Sequence, residues 1–121
     1  MVAALFDTNI LIDHLNAVPE ADEEIGRYQD RAVSMITWIE VMAGATGDLN
    51  EPTRRYLDGF DILAVDHRIA EHAVVLRQQR RIKVPDAIIW ATAQTTGRLL
   101  VTRNTKDFPP DEPGVRAPYA L

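Results

Sequence analysis

Four short apolar runs, Val2-Ala3-Ala4-Leu5-Phe6, Ala32-Val33-Ser34-Met35, Ile62-Leu63-Ala64-Val65 and Leu99-Leu100-Val101, are separated by longer stretches of helical periodicity. A continuous apolar run of four or five residues suits a strand buried on both faces. Such strands alternating with helices form a mostly parallel sheet covered on either side. The expected architecture is therefore α/β, a three-layer α/β/α sandwich around a central, mostly parallel sheet of four to five strands, within one domain spanning residues 1–121.

The segments between the runs carry helix signals. Residues 8–17 read as a helix capped by Thr8 or Asn9, and Pro19 opens a second helix running to about Asp30. Thr37 begins a helix ending near Gly44 or Gly47, and residues 51–59 form another, with Pro52 in its first turn. A helix over 67–80 places Ile69, Ala73 and Leu76 on one face. Pro85 starts a strongly apolar helix that stops at Gly97, and Gly114-Val115-Arg116 is a candidate fifth edge strand.

The first run ends on Asp7, a costly place for a negative charge unless other acids and a cation meet it. Glu40 and Asp86 stand in segments predicted as first helical turns, and Asn104 and Asp107 follow the fourth run. In open parallel sheets ligands bind beyond the carboxyl ends of the strands, so these acids have a common edge on which to converge. Two unit charges about 4 Å apart repel by roughly 4 kcal/mol at an effective dielectric near 20, so a cluster of acids requires protonation or a cation. With no cysteine and three scattered histidines, an all-oxygen site favours Mg²⁺ or Mn²⁺ over zinc. Two hard cations can activate water and stabilise the leaving oxygen of a phosphodiester.

Each candidate has a structural alternative. Asp7 can cap a helix, Thr37-x-x-Glu40 has the spacing of a capping box, and Asp86 suits the positive end of a helix dipole. Asn104 and Asp107 either reach a metal or shape the turn before Phe108. Thr102 either supports a site carboxylate or ends its strand, while Arg103 and Lys106 read as solvated charge rather than phosphate contacts. The Arg77, Arg80, Arg81 and Lys83 cluster is open to two readings, an RNA-backbone contact or a solvated helix end. His14, His67 and His72 lack metal-ligand spacing, and Trp38 and Trp90 read as core or interface residues.

The net charge of −5 disfavours tight nonspecific DNA binding, although four of the acids belong to the candidate site. No stretch reaches the roughly 20 apolar residues of a membrane span, and the first residues lack a signal sequence. Together with the absence of cysteine, this places the expected location in the cytoplasm.

The segments Phe6-Asp7-Thr8-Asn9-Ile10-Leu11-Ile12-Asp13, Thr37-Trp38-Ile39-Glu40-Val41-Met42-Ala43-Gly44, Pro85-Asp86-Ala87-Ile88-Ile89-Trp90-Ala91-Thr92-Ala93 and Val101-Thr102-Arg103-Asn104-Thr105-Lys106-Asp107-Phe108 resemble the PIN-domain ribonucleases, nearest the VapC toxins of bacterial toxin–antitoxin pairs. The resemblance implies metal-binding and catalytic roles for Asp7, Glu40 and Asp86, with Thr8, Asn9 and Thr102 in support. Where the family often has a fourth acid this chain has Asn104, with Asp107 nearby, so either fits as the further ligand. The resemblance also implies Mg²⁺-dependent endonucleolytic cleavage of RNA by a metal-activated water, with Mn²⁺ as substitute. It further implies a homodimer inhibited by a cognate VapB antitoxin, and a toxin–antitoxin assembly on promoter DNA through the antitoxin. Two rivals stand beside it: an aspartyl phosphatase, which needs an acid where this chain has Asn9, and a degenerate PIN fold that only binds.

Overall fold

The computed structural model describes residues 2–121. Strand β1 (Ala3–Phe6) is followed by helices α1 (Thr8–Leu15) and α2 (Pro19–Gly26), then β2 (Asp30–Ser34) and α3 (Met35–Ala43). A 3₁₀ turn (Gly47–Leu49) leads into α4 (Asn50–Leu57) and β3 (Asp61–Leu63). Helices α5 (His67–Arg80) and α6 (Val84–Thr95) precede β4 (Leu99–Val101) and β5 (Val115–Arg116).

All strand pairs are parallel, in the order β3-β2-β1-β4-β5. The chain first builds outward from β1 to β3, then returns through α5 and α6 to place β4 on the other side of β1. The order therefore reverses between β1 and β4, the kind of switch point where open parallel sheets form clefts.

Alternation along β1 explains the three layers. Leu5 points into a core with Ile69, Ala73, Leu76, Ile89 and Trp90 of α5 and α6. Ala4 and Phe6 point the opposite way, toward Ile10, Leu11, Ile25, Val41 and Leu57 of α1 to α4. Ala4, Leu5 and Phe6 are all fully buried, as a central strand covered on both faces requires. The α/β/α sandwich and the fifth edge strand expected from the sequence are both present.

Several helix starts differ from the sequence reading. Asp7, rather than Thr8 or Asn9, is the N-cap of α1: its Oδ1 accepts from the Thr8 backbone N–H at 2.8 Å. Helix α3 begins at Met35, two residues before the expected Thr37, because Ser34 caps it by accepting from Ile36 N at 3.1 Å. The Thr37-x-x-Glu40 capping box is thus absent, and Glu40 sits in the second turn of α3 rather than the first. Helix α2 stops at Gly26, short of Asp30, which opens β2 instead. At the end of α6, Gly97 adopts φ 65° while Arg98 N reaches back to Ala93 O at 2.9 Å, the hydrogen-bonded closure that a left-handed glycine permits.

Candidate active site

Asp7 leaves β1 at the switch point, and Thr102 leaves β4 beside it. Asp7 is buried, and its two oxygens divide their work. Oδ1 accepts from Thr8 N, while Oδ2 accepts from Thr102 Oγ1 at 2.8 Å and Asn9 Nδ2 at 3.0 Å. Helix capping and a place in the acidic site are therefore compatible in one side chain. Burial pushes the Asp7 carboxyl above its ordinary value, the hydrogen bonds from Thr102, Thr8 and Asn9 oppose that, and nearby Glu40 adds to the rise.

Thr8 connects the first acid to the second. Its Oγ1 donates to Glu40 Oε1 at 2.6 Å and lies 3.0 Å from Thr37 Oγ1. Thr37, fully buried, thus braces the Thr8–Glu40 contact instead of capping a helix. Glu40 itself is exposed at the rim, next to the exposed Ile39.

Asp86 stands in the first turn of α6, after Pro85, and is half-buried. Its carboxyl is pushed up to about 6, first by burial and then by the charges of Asp7, Asp107 and Glu40, with hydrogen bonding to Asp107 acting in the same direction. One residue thus senses all three other acids, a property of a shared cup and not of a solvated helix end. Asp107 is held there through the core: Phe108, fully buried, packs edge-on against Trp90 with centroids 5.5 Å apart. Trp90 lies one helical turn beyond Asp86 on α6, so a single aromatic contact fixes the relation between the two acids.

Asn104 is turned toward Asp107. Its Nδ2 donates to Asp107 Oδ2 at 3.0 Å, and its Oδ1 accepts from Asp107 N at 3.3 Å. Thr102 Oγ1, while donating to Asp7, accepts from Asn104 N at 2.9 Å, joining the first acid to the 104–107 turn.

The structure corrects the reading of Arg103 as solvated charge. Its guanidinium donates from Nε and Nη2 to the two oxygens of buried Asp13, at 2.8 and 2.9 Å. Sequence reasoning also missed Glu24, buried and bound in the same forked manner by Arg116. Glu24 had one legible signal, an acid on the apolar face of α2 between Ala21 and Ile25. Of the basic cluster, Arg80 pairs with Glu112 and stacks over Trp90, while Arg77, Arg81 and Lys83 remain exposed. His14 bonds Tyr56 and Asp22, a structural role away from the acids.

The donor chemistry of Asp7, Glu40, Asp86 and Asp107 fits a hard cation: oxygen only, and sharing enough charge to raise one carboxyl to about 6. The side chains ring an open cup; among the described residues no three carboxylates or imidazoles are gathered closely enough to hold an ion as they stand. Among those residues, too, no helix is long and apolar enough to cross a membrane.

Comparison with known proteins bears on the family and the fold. A family model described as PIN domain matches residues 4–109. A toxin–antitoxin complex from Klebsiella pneumoniae contains a chain 47% identical, superposing with a TM-score of 0.94 over 98% of this chain and 100% of that one. FitAcB from Neisseria gonorrhoeae matches with a TM-score of 0.81 at 23% identity, over 98% and 99% of the two chains. DNA-bound VapBC from Salmonella typhimurium matches with a TM-score of 0.78 at 23% identity, over 96% of each. At such identity these last two speak for the fold alone. No curated protein matches the chain.

Proposed function

The chain belongs to the PIN-domain family, and from that premise we propose that it is the toxin of a type II toxin–antitoxin pair, a single-domain, Mg²⁺-dependent endoribonuclease of the VapC type. The observation that carries this reading is the convergence of Asp7, Glu40, Asp86 and Asp107 at the β1–β4 switch point, with Asp86 raised by the other three. PIN domains are generally nucleases, and these acids stand where such a sheet binds its ligands.

Asp7, Glu40, Asp86 and Asp107 would hold the cation. When bound, Mg²⁺ or Mn²⁺ would supply Lewis-acid chemistry, activating water and neutralising charge at the scissile phosphate. The protein's own residues supply orientation. Thr102 and Asn9 fix Asp7 Oδ2, Thr8 fixes Glu40, and Asn104 fixes Asp107. Asp86, raised to about 6, would be ionised when it helps to hold the cation. Asn104 thereby acts as a brace for Asp107 rather than as a ligand. Exposed Lys83 flanks Asp86 and exposed Lys106 flanks Asp107, both suited to an RNA backbone.

The solved relative from Klebsiella pneumoniae is a toxin–antitoxin complex, which supports a cognate antitoxin of the VapB kind as partner here. An apolar groove of about 320 Å³ between α1, α3 and α4, lined by Ile12, Leu15, Val41, Ala45 and Leu49, suits an amphipathic segment of such a partner. A second groove, of about 380 Å³ between α5 and α6, with Val65, Val74, Val84 and Ile88, supports a homodimer. Binding of the pair to promoter DNA would run through the antitoxin, and the cytoplasm is the compartment where such a pair acts.

The phosphatase reading loses ground because Asn9 occupies the place of its second acid and donates to Asp7. Transcriptome-wide mapping of RNA 5′ ends after induction tests the proposal. New ends should appear with the chain and vanish with Asp7→Asn; identical maps would refute it.

A further inference from the structure

The network that aims Asp7 does not stop at Thr102 and Asn9. Arg103 N donates to Asn9 Oδ1 at 3.0 Å, which turns the Asn9 amide so that its NH₂ faces Asp7 Oδ2. The Arg103 side chain grips Asp13, one turn along the same face of α1 from Asn9. Asp13 Oδ2 also accepts from Tyr119 OH at 2.8 Å, across 106 residues of sequence. Burial pushes the Asp13 carboxyl up, yet the hydrogen bonds from Arg103 and Tyr119 outweigh it and hold the group below its ordinary range. Asp13 is thus an ionised, buried anchor with its oxygens filled from two distant segments.

Tyr119 follows β5 and packs its ring on the cluster containing Phe6, Ile10 and Leu11. Asn9 and Arg103 also line an open cavity of about 450 Å³ with Asn104, Thr105 and Lys106, two of whose walls, Asn9 and Asn104, bond Asp7 and Asp107. The clamp therefore forms part of the wall that RNA would meet.

We infer that Arg103 and Tyr119 are positioning residues for the cleavage: the segment after β5 acts through Asp13 to set the Arg103 loop, and with it the orientation of Asn9 and Thr102 on Asp7. This rests on the ribonuclease reading for its kinetic consequence, but the coupling itself is a property of the free protein. Main-chain Arg103 bonds the same Asn9 that bonds Asp7, which distinguishes the clamp from the Glu24–Arg116 pair, whose contacts end in Tyr28 and Arg27.

Tyr119→Phe keeps the ring and deletes only the hydroxyl; Arg103→Lys keeps the charge and deletes the fork. In metal-free protein, NMR should show a shifted Asn9 side-chain amide and faster exchange at the Arg103 amide in Tyr119→Phe. With RNA, kcat should fall about 3- to 10-fold in Tyr119→Phe and about 10-fold or more in Arg103→Lys, as for outer residues that orient ligating ones. KM should stay within about twofold, and Glu24→Gln, a control for stability alone, should leave kcat unchanged. Unaltered Asn9 and Arg103 signals, an unaltered kcat, or an equal loss in Glu24→Gln would overturn the inference. Should the wild type not cleave RNA, the ribonuclease reading falls, and the NMR signals alone then decide the coupling.

Discussion

Thr102 donates its hydroxyl to Asp7 Oδ2 at 2.8 Å, across 95 residues of sequence, and so ties the ends of two adjacent parallel strands into one acidic centre. Thr102 Oγ1 in turn accepts from Asn104 N, so a single buried hydroxyl relates the first acid to the turn that bears Asp107.

Thr102→Val keeps the shape and removes that hydroxyl, leaving a buried carboxylate oxygen and a backbone N–H each short of a partner. The expected loss of stability is about 1–2 kcal/mol, read by denaturant midpoint. Cleavage should fall further than stability predicts, since Asp7 loses its orientation.

Glu40→Gln separates two roles. The capping box is absent, so the substitution should leave the unfolding midpoint within about 0.5 kcal/mol while cleavage is lost. A large drop in thermal stability with normal cleavage would show Glu40 to be structural.

Asp86 makes a pH prediction. Its folded value, about 6, lies above the ordinary 3.8, so the native protein binds the proton more tightly than the unfolded chain. Its contribution to stability is complete below about 4 and is lost as pH rises through about 6. Bound Mg²⁺ would supply the missing positive charge in the ionised cup, so its stabilising effect on Tm should be larger at pH 7.5 than at pH 5. Asp107→Asn removes one cause of the rise, and carboxyl NMR titration should show Asp86 moving down.

Glu24→Gln tests a buried pair remote from the acids. Weakening its charged hydrogen bonds to Arg116 and Tyr28 should lower stability by about 2 kcal/mol, with cleavage at permissive temperature unchanged.

Strands β1 to β4 were legible from short apolar runs within them, and α5 because its core face, Ile69, Ala73 and Leu76, repeats at helical spacing. The start of α3 was not, since the run Ala32-Val33-Ser34-Met35-Ile36 is apolar across the strand–helix boundary and hides Ser34 as the cap. Asp7 and Asp86 drew notice by standing at the ends of apolar segments, and Glu40 through the family resemblance of its segment. The supporting pairs did not: Arg103 meets Asp13 over 90 residues and Arg116 meets Glu24 over 92, and nothing local in either member names its partner.

The most direct measurement is cleavage of 5′-labelled RNA by purified chain, with Mg²⁺, with chelator, and with Mg²⁺ restored, for wild type, Asp7→Asn and Asp86→Asn. Wild-type cleavage should stop with chelator and return with metal. Each variant, still folded by circular dichroism, should be slower by about a hundredfold or more, or about 2.7 kcal/mol at about 1.36 kcal/mol per decade. Chelator-resistant cleavage, or full activity in either variant, would contradict a cation-holding acidic centre.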